Sequence, residues 1–316
     1  MADINNDDEI DVDFSPFIRV YKDSRVERLF ASPHVPPSTE DSATGVSSKD
    51  ISISPNISAR VYLPKLTSAA AGKLPILVYY HGGGFCLESA FSFLDHRYMN
   101  ILVSESGAVA VSIEYRLAPE HPLPAGYEDG WEALLWVASH AGGDDNGFKE
   151  SWLVEHGDVG KIVVAGDSAG GNIVHNVGMR AGKEGMKVSG GVLCFPYFWG
   201  SKEKGGAGEQ STPGKFWNFV HPTAEGGVDS PMINPMGESA PSLRGLGYSK
   251  LLVCVAEKDE LREITLRYAE AVKNSGWKGD IEVVDVDGEE HCFQIFNPDS
   301  EKAKVVINRI ASFIKA

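Results

Sequence analysis

Cysteine is scarce in this chain of 316 residues, and its cysteines form no framework. The four of them, Cys86, Cys194, Cys254 and Cys292, are widely separated, and no Cys-x-x-Cys pair occurs. This spacing argues against a zinc site and against a fold held together by disulfides. Cys194 and Cys254 lie inside apolar runs, where a cysteine usually acts as a small hydrophobe. We therefore expect reduced thiols and no metal bound through them.

Long apolar runs and clusters of positive charge are also absent. No stretch reaches the ~18 apolar residues of a membrane-spanning helix, and the acidic N-terminus lacks the basic and apolar parts of a signal peptide. The 29 basic residues are outnumbered by 44 acidic ones, which gives a formal net charge of −15. Such a chain is a poor partner for nucleic acid or an anionic membrane. We expect a cytoplasmic protein without these partners, and disorder over about the first dozen residues.

What the chain does contain is an alternation of apolar runs and amphipathic segments. Strands are predicted at residues 60–63, 74–80, 108–113, 162–165, 188–195, 251–256 and 281–286. Helices are predicted over residues 93–106, 126–140 and 263–275, after residue 168, and from about residue 300. This order predicts an α/β architecture, in which a mostly parallel sheet is covered by helices on both faces. We expect one domain over residues 1–316, and the long aromatic insertion after residue 195 is typical of a lid.

A serine lies in the segment Gly166-Asp167-Ser168-Ala169-Gly170, between a predicted strand and a predicted helix. Glycines two residues on either side of Ser168 allow a sharp turn that exposes the serine. The helix N-terminus beside it favours developing negative charge. Taken alone, such a pattern is equally consistent with an ordinary turn. Whether Ser168 is a nucleophile depends on a base, a carboxylate and oxyanion donors elsewhere in the chain.

Both a base and an acid follow later strands. Of nine histidines, only His291 lies in a polar, glycine-containing loop after a strand and downstream of both the serine and an acid. Asp259 follows the strand that ends at residue 256, and its neighbours Glu257 and Glu260 are rivals for the same role. The order serine, aspartate, histidine is the one expected of an α/β-hydrolase.

The oxyanion donors are predicted in the segment His81-Gly82-Gly83-Gly84, which follows a buried strand. Successive glycines let the backbone pass close to a ligand and direct N–H groups towards it. The N–H of Ala169, next to the serine, is a further candidate. A flexible glycine turn is the alternative, whereas a phosphate-binding loop is disfavoured because no Gly-Lys-Ser/Thr pattern follows.

Together these motifs resemble the plant carboxylesterase group of the hormone-sensitive-lipase branch of α/β-hydrolases. The resemblance runs from about residue 25 to the C-terminus and rests on the segments His81-Gly82-Gly83-Gly84-Phe85, Tyr115-Arg116-Leu117-Ala118-Pro119-Glu120, Gly166-Asp167-Ser168-Ala169-Gly170-Gly171-Asn172 and Glu290-His291-Cys292-Phe293.

The resemblance implies an α/β-hydrolase fold with a triad of Ser168, Asp259 and His291. It also implies an oxyanion hole from two or three of the residues Gly82, Gly83, Gly84 and Ala169, and Asp167 as a supporting residue. A cap would come from about residues 1–50 and 197–230, and no cofactor or metal is implied. The N-terminal segment at residues 21–29 looks like that of dehydratase-type and alkaloid-pathway members.

The expected activity is hydrolysis of a small apolar or aromatic ester, a plant specialised metabolite, by a monomer or homodimer. A dehydratase or cyclase acting on a plant phenolic or alkaloid in the same pocket is the alternative. Dehydratase relatives often carry threonine in place of the serine, whereas residue 168 is serine here. A non-catalytic receptor is a third alternative, which the complete triad disfavours because receptor relatives lose the histidine.

Overall fold

The central element of the molecule is a large sheet with helices on both faces. The computed structural model describes residues 9–66, 72–141 and 149–316. The strands are β1 (Ile10–Phe14), β2 (Ile18–Tyr21), β3 (Val26–Arg28), β4 (Ser47–Ser54), β5 (Ile57–Leu63), β6 (Leu74–Tyr80), β7 (Val109–Glu114), β8 (Gly157–Asp167), β9 (Gly190–Cys194), β10 (Lys250–Ala256) and β11 (Asp280–Val286). The helices are α1 (Phe93–Ser106), α2 (Ala125–Ala138), α3 (Ser151–His156), α4 (Ala169–Lys183), α5 (Glu203–Gly206), α6 (Thr212–Val220), α7 (Arg262–Asn274), α8 (Phe293–Phe296) and α9 (Glu301–Lys315).

Eight strands form the central sheet in the order β11-β10-β9-β8-β6-β7-β5-β4. The six strands from β6 onwards in the chain are parallel to one another, whereas β5 is antiparallel to β7 and β4 is antiparallel to β5. This arrangement confirms the predicted mostly parallel sheet. Because parallel strands share one carboxyl edge, the loops after β6, β8, β10 and β11 are brought to the same side of the molecule.

Alternate residues of each central strand contribute to two separate hydrophobic clusters. In β10, Leu251, Val253 and Val255 belong to one cluster, whereas Leu252 and Cys254 belong to the other. A period of two is what a pleated strand imposes when both of its faces are buried. Helices α2, α4 and α7 pack on the first face, and helices α1 and α9 pack on the second. Cys194 and Cys254, in β9 and β10, are buried among apolar side chains of the second cluster, as their place in apolar runs predicts.

The N-terminal segment differs from its prediction. Residues 1–8 of the stretch expected to be disordered lie outside the described residues, but residues 10–14 form β1, so disorder is the wrong prediction there. Strands β1, β2 and β3 make a small antiparallel sheet. Phe14 of this sheet packs on helix α6, with ring centroids 5.3 Å from Phe216 and 5.2 Å from Phe219. Residues 47–50, which the sequence assigns to the cap, instead belong to β4 in the central sheet.

Arg28, at the end of β3, ties this small sheet to the core. Its guanidinium donates to the backbone oxygen of Cys86 at 2.7 Å and to both carboxylate oxygens of Glu120 at 2.9 and 2.7 Å. Paired N–H donors of arginine match a carboxylate in geometry as well as charge. The small sheet is thereby held against the loops that follow β6 and β7.

Helix α4 carries a buried histidine that should make stability depend on pH. His175 is 3% exposed, its Nδ1 lies 3.0 Å from the Tyr268 hydroxyl, and burial lowers its pKa to about 3. A histidine in the unfolded chain has a pKa of about 6.5. Below that pH the unfolded state binds a proton that the folded state does not, so the free energy of unfolding falls as pH is lowered towards 3.

We expect His175→Gln to remove this contribution to the pH dependence of the free energy of unfolding. The amide oxygen of glutamine can still accept a hydrogen bond from Tyr268. Between pH 7 and pH 5 the free energy of unfolding, measured by urea denaturation, should fall by about 2 kcal/mol more for the wild type than for the variant. His121→Gln, at an exposed position, is the matched control and should keep the wild-type pH dependence. Equal losses in the wild type and His175→Gln would show that His175 does not titrate in this way.

Candidate active site

Ser168 lies in a strained turn between β8 and α4. Its backbone has φ 51° and ψ −114°, and its N–H donates to the backbone oxygen of Cys194 at 2.9 Å. Positive φ is uncommon for a residue other than glycine and is characteristic of functional turns. The turn is tight enough that a Cβ at Gly170 would lie 1.9 Å from the backbone oxygen of Tyr80. Glycine is therefore required at position 170 by contact with the neighbouring strand.

The structure brings Ser168, His291 and Asp259 into one chain of hydrogen bonds. His291 Nε2 lies 2.9 Å from Ser168 Oγ, and His291 Nδ1 lies 2.6 Å from Asp259 Oδ2. The three residues follow β8, β11 and β10, at the carboxyl edge of the sheet. The aspartate side chain is 3% exposed, whereas the histidine side chain is 36% exposed. The buried Asp259 carboxylate thus contacts Nδ1 of the His291 ring. Nε2 of the same, more exposed ring contacts the serine hydroxyl.

Of the three acidic residues after β10, only Asp259 reaches the histidine ring within the described residues. Its second oxygen, Oδ1, accepts from the Leu261 N–H at 2.9 Å, which fixes the carboxylate plane. Glu257 accepts from the Gly288 N–H, and Glu260 faces Lys204 at 3.6 Å. Both glutamates are exposed. Asp259 is thus the one of these three acids that lies against the His291 ring in the described part of the chain.

The glycine segment after β6 lies beside the serine. Gly83 has φ +90°, and a Cβ there would lie 2.3 Å from the backbone oxygen of Leu87, so neither the conformation nor the space suits a side chain. The Gly83 backbone oxygen accepts from the Leu87 N–H at 2.8 Å, which closes the loop. Gly82, Gly83 and Gly84 line one cavity together with Ser168. Ala169 is the first residue of α4, where an N–H group has no acceptor within the helix.

Asp167, the residue before the serine, is buried beneath the cavity. The Tyr79 hydroxyl donates to its Oδ1 at 2.6 Å, and the Cys292 thiol lies 3.7 Å from its Oδ2. Burial raises the pKa of Asp167, and the hydrogen bond from Tyr79 and the nearby rings of His81 and His291 oppose that rise. The Asp167 carboxyl group is therefore buried, and its two side-chain hydrogen-bond donors, a hydroxyl and a thiol, are uncharged.

Asp95 is a cavity residue to which no pattern in the sequence points. It is 3% exposed, and its Oδ2 accepts from the Ser92 hydroxyl at 3.0 Å, whereas its Oδ1 has no hydrogen-bond partner among the described residues. Burial, followed by the charge of Asp167, raises the pKa of Asp95 well above its usual range. An aspartate in the first turn of a helix is so common that the pattern alone carries no signal of a site.

The cavity above the serine has a volume of about 530 Å³ and a largely apolar wall. Five aromatic rings contribute to that wall: Phe17, Phe30, Tyr197, Phe216 and Phe296. Three of them form a continuous arc, since the ring centroids of Phe17 and Phe30 are 5.9 Å apart and those of Phe30 and Phe296 are 6.0 Å apart. A concave apolar site with a few convergent polar groups is the usual form of a small-molecule site.

No metal site or membrane helix accompanies this cavity in the ranges that the structure describes. Residues 9–66, 72–141 and 149–316 contain no group of three or more histidine, cysteine, aspartate or glutamate side chains placed to hold a metal ion. Over the same ranges, no helix has both the length and the apolar character needed to cross a membrane.

The strand order and the serine at the β8–α4 turn define an α/β-hydrolase fold. The sequence model of the family described as alpha/beta hydrolase fold matches residues 77–295, and the chain belongs to that family. Among its relatives, the 2-hydroxyisoflavanone dehydratase of Glycyrrhiza echinata is 55% identical over 97% of this chain and 96% of that protein. The catharanthine synthase of Catharanthus roseus is 48% identical over 98% of this chain and 97% of that protein. Among solved structures, an esterase of Pyrobaculum calidifontis has a TM-score of 0.66 and 31% identity, covering 85% of this chain and 84% of that one.

Proposed function

We propose that this protein is a serine carboxylesterase that hydrolyses small apolar or aromatic esters. The observation that carries the proposal is the hydrogen-bond chain from Ser168 Oγ through His291 to Asp259, with distances of 2.9 and 2.6 Å. A serine is a weak nucleophile by itself and becomes reactive when an oriented base takes its proton. Similarity to the Pyrobaculum calidifontis esterase at 31% identity supports the same reaction class.

In the acylation step, Ser168 Oγ attacks the ester carbonyl carbon while His291 Nε2 takes its proton. The imidazolium is stabilised by Asp259, which also holds the proton on Nδ1 so that Nε2 is free to accept. His291 then gives the proton to the leaving alkoxide as the carbon–oxygen bond breaks. Water, deprotonated by the same histidine, attacks the acyl-serine and releases the acid.

The negative charge on the carbonyl oxygen needs donors placed before the reaction. We assign them to two or three of the backbone N–H groups of Gly82, Gly83, Gly84 and Ala169. The position of Ala169 at the start of α4 supports its role, since the helix dipole adds to the effect of its N–H. A donor set of backbone groups is rigid, and each donor typically contributes about 10²–10³ in turnover.

A cap formed by the N-terminal sheet and residues 197–230 would select the substrate. Phe17 and Phe30 from the N-terminal segment and Phe216 from the insertion belong to the cavity wall. Their contacts with one another favour flat or apolar groups over extended polar chains. We therefore assign substrate selection to the cap and the steps of hydrolysis to the residues at the carboxyl edge of the sheet.

A second candidate function is elimination or cyclisation on a plant phenolic or alkaloid. The similarity to the Glycyrrhiza echinata dehydratase, 55% identical over nearly the whole of both chains, favours it. In the elimination, His291 would take a proton from substrate carbon, the double bond would form as the carbon–oxygen bond of the neighbouring hydroxyl breaks, and the proton and the hydroxide would leave as water, so that no covalent acyl-serine would form.

Product analysis separates the two functions. Wild-type enzyme is incubated with phenyl acetate, and separately with a 2-hydroxyisoflavanone, in water enriched in oxygen-18. The proposed function predicts equimolar phenol and acetate, with one oxygen-18 atom in each acetate molecule. Dehydration of the isoflavanone without release of acetate from any ester in a panel of apolar acetates would instead support the second candidate.

A further inference from the structure

The segment Tyr115-Arg116-Leu117-Ala118-Pro119-Glu120 directly follows β7 and lies against residues 81–85. Its first residue, Tyr115, is 2% exposed. Among the described residues, the lining of the cavity includes the glycines of the neighbouring segment but does not include Tyr115. The Tyr115 hydroxyl is therefore placed to act on the protein backbone rather than on a substrate.

The Tyr115 hydroxyl meets two backbone carbonyl groups at the start of the glycine segment. It donates to the His81 oxygen at 2.8 Å and lies 3.3 Å from the Gly82 oxygen. The Gly82 oxygen also lies 2.9 Å from Nδ1 of His81, which carries the hydrogen in this contact because a carbonyl oxygen only accepts. The His81 ring stacks on the Tyr115 ring, with centroids 4.3 Å apart and planes at 14°. Tyr115 thus holds one carbonyl group directly and supports the ring that holds the other.

The directions of these two carbonyl groups set the directions of two N–H groups. In a planar trans peptide, the C=O and the N–H point in opposite directions. The His81 oxygen belongs to the same peptide as the Gly82 N–H, and the Gly82 oxygen belongs to the same peptide as the Gly83 N–H; both peptides are trans. Both carbonyl groups are held towards the buried Tyr115, so both N–H groups point away from it. Gly82 and Gly83 line the cavity beside Ser168.

A glycine segment needs such external contacts to keep one conformation. Glycine has no side chain to restrict its backbone, whereas oxyanion donors are effective only if they are fixed before the reaction. The far end of the segment is also held by residues 115–120, since the Ala118 N–H donates to the Phe85 oxygen at 2.9 Å. The segment after β7 therefore fixes the glycine segment at both of its ends.

Tyr115 is itself held in place through its neighbour. The backbone N–H of Arg116 donates to Asp129 Oδ2 at 2.8 Å, and its guanidinium donates to Asp129 Oδ1 at 2.6 Å. Asp129 belongs to α2 and is 1% exposed, so this charged pair anchors the chain beside Tyr115 to a core helix. Burial, followed by the charge of Asp167, raises the pKa of Tyr115 well above its usual range, and the hydroxyl keeps the proton that it donates.

We propose that Tyr115 is a positioning residue for the oxyanion hole, which directs the Gly82 N–H through the His81 carbonyl group and the Gly83 N–H through the His81 ring. This inference rests on the proposed function, which assigns the oxyanion donors to this segment. It gives the motif after β7 a role in turnover although Tyr115 does not line the cavity.

The first test is the Tyr115→Phe variant, which removes the hydroxyl and keeps a ring to stack on His81. With phenyl acetate, kcat should fall about 10-fold to 100-fold, which is less than the loss of a donor would cause because the N–H groups remain but are less well directed. KM should change little, since residue 115 does not line the cavity.

Tyr248→Phe is the matched control. Tyr248 is 4% exposed, and its hydroxyl donates to the Val174 backbone oxygen at 2.6 Å, so the substitution removes the same kind of buried bond at a distance from the glycine segment. Both variants should lower the urea midpoint, but only Tyr115→Phe should lower kcat. Equal kcat values in the two variants, or a raised KM at unchanged kcat in Tyr115→Phe, would overturn the proposal.

A pair of ketones tests the same donors without turnover. 1,1,1-Trifluoro-4-phenylbutan-2-one forms a bond between its carbonyl carbon and Ser168 Oγ as the hydroxyl proton passes to His291. The electron pair of the C=O bond then lies on the oxygen, as in ester hydrolysis. 4-Phenylbutan-2-one has the same phenyl chain and a much less electrophilic carbonyl group, so it reports binding in the cavity alone.

By titration calorimetry, Tyr115→Phe should raise the Kd of the fluorinated ketone about 10-fold to 100-fold and leave that of 4-phenylbutan-2-one within about twofold. Tyr248→Phe should leave both values as in the wild type. A ratio of the two Kd values that is the same in all three proteins would contradict the role of Tyr115.

His81→Phe keeps the test valid if Tyr115→Phe fails to fold. This variant retains a flat ring against Tyr115 and removes the Nδ1 donor to the Gly82 oxygen. It should lower kcat and weaken binding of the fluorinated ketone by factors similar to those expected for Tyr115→Phe. Wild-type kcat in His81→Phe would show that the carbonyl contacts do not set the donors.

The two proposals can fail separately. Hydrolysis of phenyl acetate by the wild type, with equal kcat in Tyr115→Phe and Tyr248→Phe, would leave the esterase function and remove the role of Tyr115. A wild type that hydrolyses no ester, but whose Kd for the fluorinated ketone rises only on the Tyr115→Phe substitution, would do the reverse.

Discussion

The Ser168→Ala variant is expected to lose ester hydrolysis by a factor of about 10⁴ to 10⁶ in kcat. Without Oγ there is no atom to attack the carbonyl and no acyl intermediate. What remains is the weaker catalysis of a bound water, aided by the oxyanion donors. Removing one hydroxyl leaves the helix start and the β8–α4 turn unchanged, because the contact that holds the turn is a backbone hydrogen bond from residue 168 to Cys194.

Initial rates with 4-nitrophenyl acetate, corrected for the buffer reaction, measure this loss. Ser312→Ala is the matched control, because Ser312 is exposed near the end of α9 and its hydroxyl donates to a backbone oxygen of the same helix. The control should keep wild-type kcat and KM. Turnover by Ser168→Ala within tenfold of the wild type would show that another group carries the reaction.

The Asp259→Asn variant is expected to lose about 10⁴ in kcat, with KM little changed. An asparagine amide can donate to His291 Nδ1, which favours the tautomer that carries its proton on Nε2. In that tautomer the histidine can no longer take a proton from Ser168. The substitution keeps the shape of the side chain and an oxygen that can accept from the Leu261 N–H, so the loss reflects proton transfer rather than unfolding.

Separate measurement of kcat and KM with the same ester checks this prediction. Asp158→Asn is the matched control, because that carboxylate lies near the opposite end of β8 and, within the described ranges, accepts only from the Gly160 N–H. A KM raised tenfold at unchanged kcat would instead indicate that Asp259 contributes to substrate binding.

Elements that are specified by local sequence can be predicted well from it. Helix α1 is observed over the predicted residues 93–106, because Ser92 precedes it in an extended conformation and Gly107, with φ +62°, ends it. The buried strands are predicted equally well from the sequence, because a strand covered on both faces is a nearly continuous run of apolar residues. The catalytic candidates follow such strands, which is why their positions in the chain could be proposed without a structure.

Features that depend on distant contacts could not be predicted in the same way. Strand β1 carries acidic residues, which favours disorder in a prediction from sequence. Its ordered conformation depends on the packing of Phe14 against the rings of Phe216 and Phe219 in helix α6, some 200 residues later in the chain. Val305 fits the apolar pattern of α9 but is 65% exposed, because the buried stripe is instead formed by its neighbours Val306, Ile310 and Ile314. Asp95 resembles any acid in a first helical turn, and only the packing of α1 against the cavity distinguishes it.

Reaction with a fluorophosphonate tests most directly whether Ser168 is an activated nucleophile. The wild type and the His291→Ala variant are treated with the reagent for the same time, and the digested proteins are analysed by mass spectrometry. We expect one phosphonyl group per wild-type chain, located on the peptide containing Ser168, and little labelling of the variant. No adduct on the wild type, or an adduct on a different residue, would contradict this expectation.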